Sequence, residues 1–156
     1  MPAGELAFRL ARSGDIAALT AIDTVVPIDS DRADHIRQWV EAGTCHIAAR
    51  ADMAIGYAVL HYHFFHSGML ELVMVGAEHR RQGVGEALAR HVISICKTDK
   101  VWASTNQSNL PMQALLARLG FARSGIIENL DDGDPEFIYV IAARPKRPFH
   151  TNPPLV

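Results

Sequence analysis

The sequence has 156 residues, 49% of them hydrophobic and 21% charged, with a formal net charge of −2. That length and balance fit one soluble globular domain, able to bury a core without disulfide or metal staples. They exclude the basic excess of a nucleic-acid binder, and no apolar run reaches the ~18 residues of a membrane span. The N-terminal stretch MPAGELAFRLARSGD carries acidic residues and no long apolar core, so no signal peptide is read and a cytoplasmic protein is expected.

Leu6 to Leu10 reads as a first strand. Ser13-Gly14-Asp15 then supplies capping chemistry for a helix carrying Ile16, Leu19 and Ile22 at helical spacing. Pro27 closes that region. A second helix is predicted from Arg32 to Glu41, stopped by Gly43. Strands follow at Cys45 to Arg50 and at Ile55 to Phe64. In the longer one Tyr57, Val59, His61 and His63 are predicted on one face, with Ala58, Leu60 and Tyr62 on the other. A turn is predicted at Ser67-Gly68, then a strand from Leu70 to Val75. A helix follows from Val84 to about Lys97, burying Leu88, Val92, Ile95 and Cys96. Val101 to Thr105 is the next strand and Leu110 to Leu119 the next helix, with Gly120 as its stop. Two last strands, near Ala122 to Ile127 and Phe137 to Ala142, flank the acidic loop Asp131-Asp132-Gly133-Asp134. The order β-α-α-β-β-β-α-β-α-β-β is a mixed α/β layout with antiparallel hairpins and a crossover helix. Residues 1–144 are read as one domain and the proline-rich stretch 145–156 as a tail. Cys45 and Cys96 lie in apolar segments outside any Cys-x-x-Cys pair. They read as buried thiols of a reduced compartment, with a disulfide or a catalytic thiol as the alternatives.

The most informative segment is Arg80-Arg81-Gln82-Gly83-Val84-Gly85, directly after an apolar strand and directly before a helix. Glycine permits a tight bend and close approach of a ligand to backbone amides. A helix N-terminus offers unpaired N–H groups and partial positive charge, which together bind phosphate. Arg80 and Arg81 add full charges. The Gly-Lys-Ser/Thr ending of a nucleoside-triphosphate loop is absent, and Leu88 stands where the dinucleotide fingerprint needs its third glycine or alanine. A tight turn with no ligand is the bland alternative.

The stretch LELVMVGAEHRRQGVGEALARHVI resembles the acetyl-CoA motif of the GNAT superfamily of N-acetyltransferases, Arg/Gln-x-x-Gly-x-Gly/Ala, through Arg80, Gly83 and Gly85. FRLARSGDIAAL resembles that family's opening strand and helix, and NLPMQALLARLGF its late helix ending in Gly-Phe, so the resemblance spans about residues 6 to 142. It implies a mostly antiparallel central sheet of about six or seven strands flanked by about four helices. It implies acetyl-CoA as co-substrate, its pyrophosphate on the amides of Arg81, Gln82, Gly83, Val84 and Gly85. The pantetheine arm would lie between two splayed strands, against the backbone of Val73 and Val75. Asn109 would touch that arm or serve as a plain helix cap. A homodimer fits the family's habits.

Amine acetylation needs a base, because an alkylamine has a pKa near that of lysine, ~10.4. Glu71 is the candidate, a lone acid in an apolar strand that leads into the glycine loop. In the resemblance this strand often carries the base two positions earlier, where Met69 stands; the alternative for Glu71 is an ion-paired or solvated glutamate. The family's usual tyrosine acid is replaced by Leu116. Tyr57, His61 and His63 are candidates to line the acceptor pocket. No third patterned ligand supports a metal at His61, His63 and His66, so none is expected. The acidic loop reads as a solvated turn, or as an attractor of a cationic amine. Acceptor loops are expected near residues 24 to 43 and 128 to 136. The expected function is acetyl transfer from acetyl-CoA to a primary amine: a small amine, an amino-acid derivative or a protein N-terminus. The alternative is an acyl-CoA-binding sensor with little catalysis, or, less directly, an interaction protein using its tail.

Overall fold

A computed structural model describes residues 4–144. The proline-rich stretch 145–156 lies outside the described residues. Seven strands form one sheet: β1 (Leu6–Leu10), β2 (Cys45–Arg50), β3 (Met53–Phe64), β4 (Ser67–Val75), β5 (Lys100–Asn106), β6 (Ala122–Ile127) and β7 (Glu136–Ala142). Four α-helices pack on it: α1 (Ile16–Ile22), α2 (Arg32–Glu41), α3 (Val84–Ser94) and α4 (Leu110–Leu119). The sheet order is β1-β2-β3-β4-β5-β7-β6. Every pairing is antiparallel except β4 with β5. The predicted order of elements and the mixed, mostly antiparallel sheet are both observed. Among the described residues no helix is long and apolar enough to cross a membrane.

Strand alternation feeds two cores. Ala58, Leu60, Leu70 and Val101 meet Leu88 and Val92 of α3 and Leu116 of α4 on one face. Ile47, Tyr57 and Val59 meet Leu19 of α1 and Ile36 of α2 on the other. Both cysteines are buried free thiols, and burial pushes Cys45 up to about 12.

Two expectations are corrected. The β3–β4 hairpin turns at Phe65 and His66, both left-handed with φ of 49° and 59°, and not at Ser67-Gly68. Gly68 lies inside β4, where a Cβ would stand 2.5 Å from Cys96 Sγ, so it provides close packing and not a bend. Helix α3 ends at Ser94, and Ile95, predicted on its buried stripe, is 42% exposed. The early stop is followed by a tight set of bonds that redirects the chain. Thr98 Oγ1 accepts from Gly68 N at 2.9 Å and donates to Lys100 O at 2.8 Å.

Candidate active site

The sheet opens in its middle. β4 pairs with β5 only at Gly68–Val101, Met69–Trp102 and Leu70–Ala103. On the other side of β4 the register with β3 runs from Val59–Leu72 to Leu60–Leu70, which leaves Glu71 as the extra residue of a β-bulge. Beyond that bulge β4 and β5 part company. Gly76 N donates to Ile55 O at 2.9 Å, so the backbone alternation turns the N–H and C=O groups of Val73 and Val75 away from β3 and into the gap. Among the described residues the Val73 groups and the Val75 N–H have no partner strand; they are mid-sheet groups of the kind an extended ligand can satisfy, while Val75 O accepts from Arg80 Nε at 3.0 Å.

At the open end of the gap the chain makes the turn Ala77–His79, then the loop that starts α3. Arg81 (φ 59°) and Gly83 (φ 78°) are left-handed on either side of Gln82, a backbone form that gathers N–H groups into a concave, anion-attracting set. Nothing stands within 4 Å of a Cβ added at Gly83, so its substitution is governed by φ alone. Gly83→Ala is expected to destabilise the protein by about 1–2 kcal/mol in denaturant unfolding. Gly85 is different. A Cβ there would stand 3.4 Å from Val75 Cγ2 and 3.7 Å from Val73 Cγ1, so the bare glycine keeps the start of α3 close to the free edge of β4. Val84 is buried and anchors the helix. Gln82 accepts from Arg50 Nη1 at 3.1 Å and donates to Glu78 O at 3.2 Å, tying the loop down. Arg81 is exposed beside it. Arg80 turns back: its Nε donates to Val75 O at 3.0 Å and its Nη2 to Thr24 Oγ1 at 2.9 Å.

The bulge presents Glu71 with its side chain 43% exposed, and His61 Nε2 lies 3.4 Å from its Oε2. His63 N donates to His61 Nδ1 at 3.0 Å, which fixes Nδ1 as the unprotonated nitrogen and puts the proton on Nε2, facing Glu71. Burial holds the His61 pKa below its ordinary value; the Glu71 charge raises it and His63 lowers it. The rings of His61 and His63 stack at 5.4 Å. Both line a cavity of about 350 Å³ beyond the end of β2, with Thr44, His46, Tyr62 and Lys97.

Tyr57 is the corrected site residue. It shares the predicted face but is fully buried at 0% exposure. It pairs with Ile47 and is covered by Trp39 of α2, ring centroids 6.4 Å apart, whereas His61 and His63 lie past the last pairing with β2, Cys45–Val59. The Tyr57 hydroxyl donates to buried Asp23, and burial together with that bond raises its pKa. Asp23 also accepts from Val25 N at 2.7 Å and lies 3.3 Å from Arg32 Nε. The sequence reading missed this network; its one signal was an acid between the apolar runs of Ile22 and Val25.

Asn109 caps α4 through Oδ1, which accepts from Met112 N at 3.2 Å. Leu116 is a fully buried core residue. In the acidic loop Asp131 accepts from Asn106 Nδ2 at 2.8 Å, and Asp134 accepts from Ser108 N and Oγ at 3.0 and 2.6 Å. Two of its carboxylates therefore fasten the loop to the β5–α4 connection. Among the described residues no three His, Cys, Asp or Glu side chains gather as a metal site.

Comparison with known proteins agrees with this geometry. The profile of the Acetyltransferase (GNAT) family matches residues 15–121. An acetyltransferase of the GNAT family from Bacillus cereus is 33% identical over 89% of this chain and 98% of its own, with a TM-score of 0.82. The yncA protein of Salmonella typhimurium, solved with its cofactor acetyl-CoA, shares the fold at 20% identity over 97% of this chain and 99% of its own, with a TM-score of 0.73. A ribosomal-protein-alanine N-acetyltransferase from Brucella melitensis shares it at 22% identity over 87% and 99%, with a TM-score of 0.74. No curated protein sequence matches the chain. The motif, the split sheet and these matches converge: the chain belongs to the GNAT family of acetyltransferases, whose acyl donor is acetyl-CoA.

Proposed function

We propose that this acetyltransferase acts on a primary amine, with Glu71 as the base. The observation that carries the reading is the bulge. It sets a half-exposed carboxylate at the point where β4 leaves β5, beside a neutral imidazole that cannot compete with it for charge. In this reading Val73 and Val75 pair with the pantetheine arm through their main chain. The amides of residues 81–85 take the pyrophosphate, with the exposed Arg81 side chain as a nearby cation. Asn109 has spent its oxygen on the helix cap, which leaves its amide nitrogen for the pantetheine.

Glu71 takes the amine proton, through water, because the protonated amine has no lone pair for attack. The free amine is then the nucleophile, and no covalent bond to the enzyme forms. Acetyl-CoA supplies the acyl group and a thiol of pKa ~8.5, a fair leaving group without an acid. Leu116 in the tyrosine position is therefore compatible with turnover. His61 and His63 line the space beside the base and contribute its shape. The relatives' own acceptors, such as the ribosomal-protein alanine of the Brucella melitensis enzyme, make a peptide N-terminus one member of the acceptor class to test. A second reading, an acyl-CoA sensor without catalysis, is favoured by Leu116 alone.

Thermal unfolding with acetyl-CoA at a hundred times its dissociation constant is expected to show roughly 2.7 kcal/mol of stabilisation. Release of free thiol is then followed with a panel of spermidine, tyramine and an alanine-led peptide. Stabilisation without thiol release from any amine would favour the sensor.

A further inference from the structure

Arg80 belongs to the glycine motif, yet its side chain leaves the loop. Its Nε donates to Val75 O at 3.0 Å and its Nη2 to Thr24 Oγ1 at 2.9 Å, with Met74 Sδ 3.9 Å from the same nitrogen. Thr24 opens the segment 24–31 that joins α1 to α2. The root of that segment has two other anchors. Asp23 is buried, 2% exposed, and holds Val25 N at 2.7 Å and the Tyr57 hydroxyl. Ile22 packs on Gly76, where an added Cβ would stand 3.4 Å from Ile22 Cβ. Past this root the segment turns outward, and Ile28 is 84% exposed. Asp23 and Ile22 fasten the root to the sheet. Arg80 fastens it to the phosphate loop, directly after the end of the Ala77–His79 turn and one residue before left-handed Arg81.

We propose that Arg80 is a positioning residue that couples the phosphate loop to the acceptor-side segment through Thr24, and is not a ligand of the cofactor's phosphates. The inference rests on the reading that residues 24–43 frame the acceptor. A guanidinium with one donor on a strand carbonyl and another on a hydroxyl of a different segment is a geometric brace. When the loop is held by its ligand, the brace is held, and the segment beyond Thr24 loses freedom. Cofactor binding then prepares the surface that the amine meets, an ordering effect that needs no large movement.

The test uses the full chain, acetyl-CoA as the probe, and Thr24→Val, which keeps the volume and removes the accepting hydroxyl. Amide hydrogen exchange and calorimetric titration at two salt concentrations are read together. In the wild type, acetyl-CoA should slow exchange both in the loop 80–85 and in the segment 24–31. In Thr24→Val the slowing should be confined to the loop, with the acetyl-CoA Kd within about fivefold of wild type, the low end of coupling between sites. Arg80→Gln should repeat this pattern and keep the wild-type salt dependence. The proposal is overturned by wild-type protein whose segment 24–31 does not respond to bound acetyl-CoA. It is equally overturned if Thr24→Val behaves as wild type while Arg80→Gln loses about tenfold or more in affinity with a flatter salt dependence, the mark of a lost phosphate contact. The amine KM reports the reading beneath: raised in Thr24→Val if the segment frames the acceptor, unchanged if it does not, whatever the exchange shows.

Discussion

Glu71→Gln is expected to lower kcat for amine acetylation by roughly 10²–10⁴-fold, the usual contribution of general base catalysis, while acetyl-CoA affinity holds. The substitution is nearly isosteric and sits on a half-exposed side chain, so the fold should not answer for the loss. Among the described residues its carboxylate touches His61 and no buried partner, so no unpaired charge is left in the core. Steady-state thiol release with the best amine of the panel gives kcat, and titration of acetyl-CoA gives the affinity. Turnover within about twofold of wild type would remove Glu71 from the mechanism. Loss of affinity together with loss of turnover would instead say that the bulge itself had changed shape and that the cofactor gap had closed.

The largest effect on stability is expected from Asp23→Ala, about 3–5 kcal/mol, the cost of breaking a buried ion pair from one side. One carboxylate serves three groups here: the Tyr57 hydroxyl, Val25 N, and the charge of Arg32, whose Nε is 3.3 Å away but has no aligned hydrogen bond among the described residues. Removing it strands a buried hydroxyl and a guanidinium that is 15% exposed. For a chain of this length the melting temperature should fall by roughly 6–20 °C. Tyr57→Phe removes only one member and should cost less, because the Asp23–Arg32 pair survives. A drop of less than about 2 °C for Asp23→Ala would mean that water takes over the carboxylate's work.

Most of the architecture was legible because periodicity and glycine carry it. The alternation of Ala58 and Leu60 against Tyr57 and Val59 announced a strand between two cores, and that is where β3 lies. The loop at Gly83 announced itself by standing between an apolar strand and a helix. What stayed hidden depends on neighbours distant in sequence. Gly68 looked like turn chemistry, but its reason is Cys96 Sγ pressed against it from another element. Tyr57 shares a face with His61, yet only the lengths of β2 and α2 decide which of the two is covered. Asp23 and Arg32 are nine positions apart and carry no motif; their pairing exists only once α1 and α2 pack on the sheet. The bulge at Glu71 shifts strand parity by one residue, which no pattern of apolar positions in β4 alone reveals.

The gap between β4 and β5 has a consequence for the protein's life in a crowded solution. Unpaired strand edges invite other chains, and outer strands must be defended with charge, brevity or cover. Here the free edge at Val73 and Val75 is internal, with β5 facing it across the gap and α3 starting over it. A second polypeptide would have to enter between two strands of one sheet and could not simply add to an outer edge. The same geometry that offers main-chain recognition therefore also guards against fibre growth, because its free hydrogen-bonding groups lie inside the sheet and not along its border.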